Sequence, residues 1–143
     1  MPPTVTRERS AGRRLRPDPA QVGHARRLVR QTLAEWGLDE YVDHMVLISS
    51  ELVTNALRHG AGMISIRLFH ASRDLRIEVH DHGSGRPVRR HAGTGDEGGR
   101  GLEVIDGLIS MYDGRRGCTD DGTGPGKTVY VVMQLCTTTA GAL

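Results

Sequence analysis

Glu51-Leu-Val-Thr-Asn-Ala-Leu-Arg-His-Gly60 reads as the closing turns of a helix. It has no proline or internal glycine and ends on Gly60, a residue favoured just past a helix end. Met45, Ile48, Leu52 and Ala56 recur three or four residues apart and form one apolar stripe. Glu51 and Asn55 stand beside that stripe, four apart and so on one side of the helix. A carboxylate and a carboxamide one turn apart suit two readings. They are a capping or surface pair, or together they hold a cation and orient a nucleophile.

Working outward, the next two segments alternate. Ile64, Ile66 and Leu68 are apolar while Ser65 and Arg67 are polar. After a turn at Ser72-Arg73-Asp74, Leu75, Ile77 and Val79 alternate with Arg76, Glu78 and His80. Period-two patterns on either side of a short turn predict a hairpin with one buried face. The same register carries Asp81 to that inward face, where a carboxylate is costly unless it meets a donor. Gly83 and Gly85 then open a sterically permissive loop, and residues 86–98 continue it with Arg and Gly. Gly98-Gly-Arg-Gly101 leads into a third helix carrying Leu102, Val104, Ile105 and Leu108. A glycine-rich entry to a helix N-terminus leaves backbone N–H groups facing outward, a ready anion site. A strand is expected over 110–116, a loop over 118–126, and a last strand with Val129, Val131, Met133 and Leu135 on one face.

Upstream, Asp18-Pro19 supplies an N-cap acceptor and a first-turn proline for a helix that presents Val22, Ala25, Val29, Leu33 and Trp36 and stops at Gly37. Leu38-Asp39 starts the helix that ends at His59. Residues 1–14 read as a flexible basic tail with Arg7, Arg9, Arg13 and Arg14, and a short strand near Leu15 is weakly signalled. Residues 15–136 form one domain and 137–143 a frayed tail. With 143 residues, the chain has room for a core without disulfide or metal staples.

Aromatics make up 3% of the chain, so the core must be aliphatic. The net charge of +2 is too mild to point to nucleic acid, although Arg86, Arg89 and Arg90 add a second basic cluster. The apolar runs are too short to span a bilayer and no secretory h-region is present, so a soluble cytoplasmic protein is expected. Cys118 and Cys136 lack metal-ligand spacing and read as free thiols.

Three partial motifs fail on context. Gly126-Lys-Thr128 looks like the end of a P-loop, but Asp121 stands where the first glycine is needed and a strand follows instead of a helix. Gly93-Thr-Gly95-Asp-Glu-Gly98 follows a basic loop and not a first strand, so it is not a dinucleotide fingerprint. His80 and His82 flank Asp81 without further ligands at metal spacing.

What remains is an ordered set: the helix with Glu51 and Asn55, inward Asp81 with its glycines, the entry at 98–101, and Gly126-Lys-Thr-Val129. In that order the chain resembles the GHKL ATPase/kinase superfamily, and within it the small anti-sigma-factor serine/threonine kinases of the RsbW type. Glu51–Gly60 resembles the N-box, Asp81–Gly85 the first glycine box and Gly98–Leu102 the second, over about residues 15–135. The implied architecture is an α/β two-layer sandwich (the Bergerat, or histidine-kinase-like, ATPase fold). Its sheet would be mixed, mainly antiparallel, with three helices on one face.

The resemblance also implies roles. Glu51 would be the catalytic base. Asn55 would offer its amide oxygen to Mg²⁺, which favours such ligands. Asp81 would accept from the adenine amino group of ATP, with Gly83 and Gly85 letting backbone pass close to the base. Gly99, Arg100, Gly101 and Leu102 would bind the phosphates at the helix N-terminus, and the 86–98 loop would be the lid. Thr128 matches a threonine near adenine, although strict alternation turns it away from Val129's face.

By resemblance the chain would be an ATP- and Mg²⁺-dependent serine/threonine kinase and anti-sigma factor. It would be homodimeric, pairing with a sigma factor and phosphorylating a STAS-domain antagonist, with no direct nucleic-acid or membrane partner. The alternative is an ATP-binding regulatory module that captures a protein without catalysis. A histidine-kinase or ATPase branch fits less well, for want of phosphoacceptor-helix and transducer segments in this sequence.

Overall fold

A computed structural model describes residues 8–83, 100–121 and 126–135. Its elements run β1 (Arg9–Leu15), α1 (Val22–Glu35), α2 (Val42–His59), β2 (Ile64–Ala71), β3 (Asp74–Asp81), α3 (Arg100–Ser110), β4 (Arg115–Asp120) and β5 (Lys127–Gln134). The strands form one sheet in the order β1-β2-β3-β5-β4. Every neighbouring pair is antiparallel, so the sheet is not mixed as the resemblance implied.

The helices form and stop for local reasons. Asp18 accepts from Ala20 N–H at 3.0 Å, and Pro19 opens a short 3-10 turn into α1. Gly37 takes a left-handed φ of 73°, which lets Leu38 N–H return to Leu33 O at 2.8 Å and closes α1. A second 3-10 turn, Asp39–Tyr41, leads into α2. The apolar stripe of α2, Met45, Ile48, Leu52 and Ala56, is buried. It shares one core with Ala25, Val29 and Leu33 of α1, with Leu102, Ile105 and Ile109 of α3, and with the inward faces of the strands.

The hairpin lies in the predicted register. Ile66 faces Val79 and Leu68 faces Ile77 across β2 and β3, and Ser72 turns the chain with a φ of 55°. In β5, Val129, Val131 and Met133 are buried and Leu135 continues that face just beyond the strand. The opposite face of the sheet carries Arg76, 4.2 Å over the Tyr130 ring and 2.7 Å from Glu78, and Arg67 over Phe69.

Two further expectations need correction. The sheet starts at Arg9, so residues 9–14 belong to a strand and not to the tail. This edge strand is polar, Leu15 being its one fully buried residue. Pairing with β2 from Arg9↔His70 to Leu15↔Ile64 holds it, a ladder of backbone groups that side-chain alternation does not reveal. The strand expected over 110–116 also begins later. Met111 and Tyr112 close α3 through N–H bonds to Leu108 O and Ile109 O, and Gly114 N–H bonds Ile109 O at 2.8 Å. Asp113 takes the left-handed conformation there, so the apolar Met111-Tyr112 pair finishes a helix instead of opening a strand.

Candidate functional site

Asp81 lies at the end of β3, 1% exposed, on the inward face that alternation predicted. The exits of α2 and β3 meet around it. His82 N–H donates to Ala61 O at 2.8 Å, which ties the two chain segments together beside the carboxylate. Gly83 N–H donates to Asp81 Oδ1 at 2.7 Å.

The flanking glycines are there for space. Gly60 has φ −103°, a conformation open to any residue, so its helix-stop role needs no glycine. A Cβ at Gly60, however, would stand 2.4 Å from Asp81 Cγ and 2.6 Å from Ala56 O. A Cβ at Gly83 would meet Gly60 Cα at 2.9 Å. Two backbones close around one carboxylate, and no side chain fits between them.

Lys127 supplies the donor that buried Asp81 requires. The two residues face each other across β3 and β5, and Lys127 Nζ lies 3.0 Å from Asp81 Oδ1 with both side chains almost fully buried. Removing one member of such a pair costs about 3–5 kcal/mol, because the other charge is stranded away from water. In the sequence Lys127 stands only within the incomplete P-loop match Gly126-Lys-Thr128. The signal was nonetheless present: stepping back by two from Val129 places residue 127 on the inward face. Thr128 pairs with His80 and Thr119, half-buried on the opposite face. The residue that the structure brings to Asp81 is therefore Lys127 and not Thr128.

Glu51 and Asn55 are half-buried on α2, one turn apart, and their side chains make no hydrogen bond to another described residue. Both are thus free to bind something else, and a carboxamide oxygen is a hard donor that suits Mg²⁺. The helix that carries them ends at Gly60, against Asp81. Arg100 and Gly101 form the first turn of α3, with Leu102 buried behind them, and α3 packs on α2 and β5. The first-turn N–H groups of an α-helix have no intrahelical acceptor and stand at the positive end of its dipole. Gly85, Gly99 and the cluster Arg86, Arg89 and Arg90 lie outside the described residues, as does Cys136.

The histidines beside Asp81 have their own partners. His80 Nε2 lies 2.9 Å from Asp121 Oδ2, and the His80 and His82 rings meet edge to face at 5.1 Å. Among the described residues no group of three or more His, Cys, Asp or Glu side chains is placed to hold a metal. No helix among them is long and apolar enough to cross a membrane.

Comparison with known proteins agrees with this geometry. The family model of the histidine kinase-like ATPase domain matches residues 15–132. No curated protein sequence matches the chain. Among solved structures, the Acinetobacter baumannii histidine kinase AdeS is 17% identical with a TM-score of 0.53, covering 89% of this chain and 68% of that one. The histidine kinase domain of the Erythrobacter litoralis EL346 blue-light activated histidine kinase is 20% identical with a TM-score of 0.48, and the alignment covers 85% of this chain and 62% of that one. At such identity the AdeS likeness speaks for the fold. The sheet order, the inward carboxylate between two glycines and the match over residues 15–132 lead to one assignment: the chain belongs to the histidine kinase-like ATPase domain family, within the GHKL superfamily.

Proposed function

We propose that this ATPase domain is a protein serine/threonine kinase of the anti-sigma type. In this reading it binds ATP between α2, the end of β3 and the N-terminus of α3, and passes phosphate to a hydroxyl on a STAS-domain antagonist. It would hold a sigma factor when the antagonist is spent, and would act as a homodimer. The observation that carries the reading is the buried Asp81, walled by Gly60 and Gly83 at the end of the helix that presents Glu51 and Asn55.

Asp81 accepts from the adenine amino group and fixes the base. Asn55 would hold Mg²⁺ through its amide oxygen, and the ion would supply charge neutralisation at the phosphates. Glu51 takes the proton of the attacking hydroxyl, and the first turn of α3 orients the phosphates through N–H groups. Phosphoryl transfer depends mainly on positioning and charge stabilisation, so few groups suffice. The anti-sigma role and its partners come only from the resemblance to the RsbW-type kinases, carried by Glu51–Gly60, Asp81–Gly85 and Gly98–Leu102.

Incubating the protein with radiolabelled ATP and candidate STAS proteins tests the kinase. Wild type should label one substrate. Glu51→Ala should bind ATP normally and transfer phosphate at least ~100-fold more slowly, as expected for loss of a general base. If both transfer equally poorly to every candidate while ATP still binds, the protein is a non-catalytic capture module.

A further inference from the structure

Lys127 has no part in the roles above, yet it is the single lysine among 19 basic Lys and Arg residues, and it is buried. A chain that uses arginine everywhere else places a lysine at the one inward position facing Asp81. Arginine's broad planar fork and lysine's slim ammonium stem are not interchangeable at such a position.

The hydrogen bonding at this pair is lopsided. Lys127 Nζ at 3.0 Å and Gly83 N–H at 2.7 Å both donate to Asp81 Oδ1. Among the described residues Oδ2 receives nothing, and Lys127 directs one of its three donors to Asp81 and none elsewhere. Side by side at the end of β3 and β5 stand an acceptor with a spare oxygen and a cation with spare N–H bonds. Such spare capacity can meet the polar edge of a ligand.

We propose that Lys127 and Asp81 read the base together: Asp81 Oδ2 accepts from the adenine amino group while Lys127 donates to N1, the ring acceptor on the carbon that bears that amino group. The inference rests on the ATP-site reading above and makes Lys127 a specificity residue of that site. The pair matches a base edge with a donor beside an acceptor. Guanine, presented in the same pose, sets an oxygen against Asp81 Oδ2 and an N–H against the ammonium, which disfavours it.

The test compares ATP with 1-deaza-ATP, which lacks the N1 acceptor, by calorimetry on wild type and Lys127→Met. Wild type should bind 1-deaza-ATP ~10- to 100-fold more weakly, the range for a hydrogen bond to a charged group. In Lys127→Met that ratio should fall to about twofold or less, within the scatter of uncoupled sites. An unchanged ratio in the variant would mean that Lys127 merely positions Asp81, and would overturn the proposal.

Because Lys127→Met leaves a buried carboxylate alone, the variant is at risk of not folding. A single lysine allows a second test on wild type. Protein labelled with ¹⁵Nζ-lysine should show one side-chain ammonium resonance that shifts with ATP and stays near its free position with 1-deaza-ATP. Equal shifts with both nucleotides would overturn the proposal. Failure of ATP to bind wild type at all would remove both this inference and the site reading beneath it.

Discussion

At the scale of single residues, the site is a carboxylate enclosed by backbone. Asp81 is held by Lys127 and Gly83, and Gly60 lies so close to it that even a methyl group is excluded. Gly60→Ala should therefore displace the carboxylate. Overpacking of this kind costs about 1–3 kcal/mol, and the loss of stability should be accompanied by a weaker affinity for ATP. Gly23, inside α1 with no atom within 4 Å of its would-be Cβ, is the control. Gly23→Ala should be neutral or stabilising by up to about 1 kcal/mol, because alanine is the better helix former. Urea denaturation of the two variants decides it. Equal stability for Gly60→Ala and wild type would mean that the wall around Asp81 is soft.

At the scale of elements, the edge strand β1 depends on an unusual neighbour. His70 of β2, opposite Arg9, stacks on Trp36 at the end of α1 with ring centroids 6.0 Å apart, and Arg9 donates to Trp36 O at 3.3 Å. His70 Nδ1 is buried without a hydrogen-bond partner among the described residues. Burial, and then the nearby Arg9 charge, hold its pKa below 6.5. The unfolded chain therefore binds the proton more readily than the folded one. Stability from this group is complete above pH 6.5 and is lost as the pH falls below it. Replacing the ring removes the linkage, so between about pH 7.5 and about pH 5.5 wild type should lose more stability than His70→Leu. Denaturation curves at the two pH values measure this, and parallel losses would contradict it.

Elements were legible in the sequence where side chains carried the pattern. Ile64 to Leu68 and Leu75 to Val79 gave the hairpin, and its register alone carried Asp81 inward. β1 was not legible, because its pairing is made by backbone groups beneath polar side chains. The start of β4 was missed because Met111 and Tyr112 fit a strand or a helix end equally well until Asp113 turns the chain. Lys127 shares the alternation that places Val129 inward, but its role depends on pairing with Asp81 across β3 and β5, which sequence order alone does not show.

At the scale of the whole molecule, three helices on one side of an antiparallel sheet bring the exits of α2 and β3 to a common point. That convergence sets Asp81 against the C-terminal end of the helix that carries Glu51 and Asn55. The central claim is that this point binds the adenine of ATP, and calorimetric titration of Mg²⁺-ATP into wild type and Asp81→Asn tests it most directly. Wild type should bind ATP, and Asp81→Asn, verified as folded by circular dichroism, should lose at least ~10-fold in affinity, or about 1.4 kcal/mol. An Asp81→Asn protein that binds ATP as tightly as wild type would contradict the account.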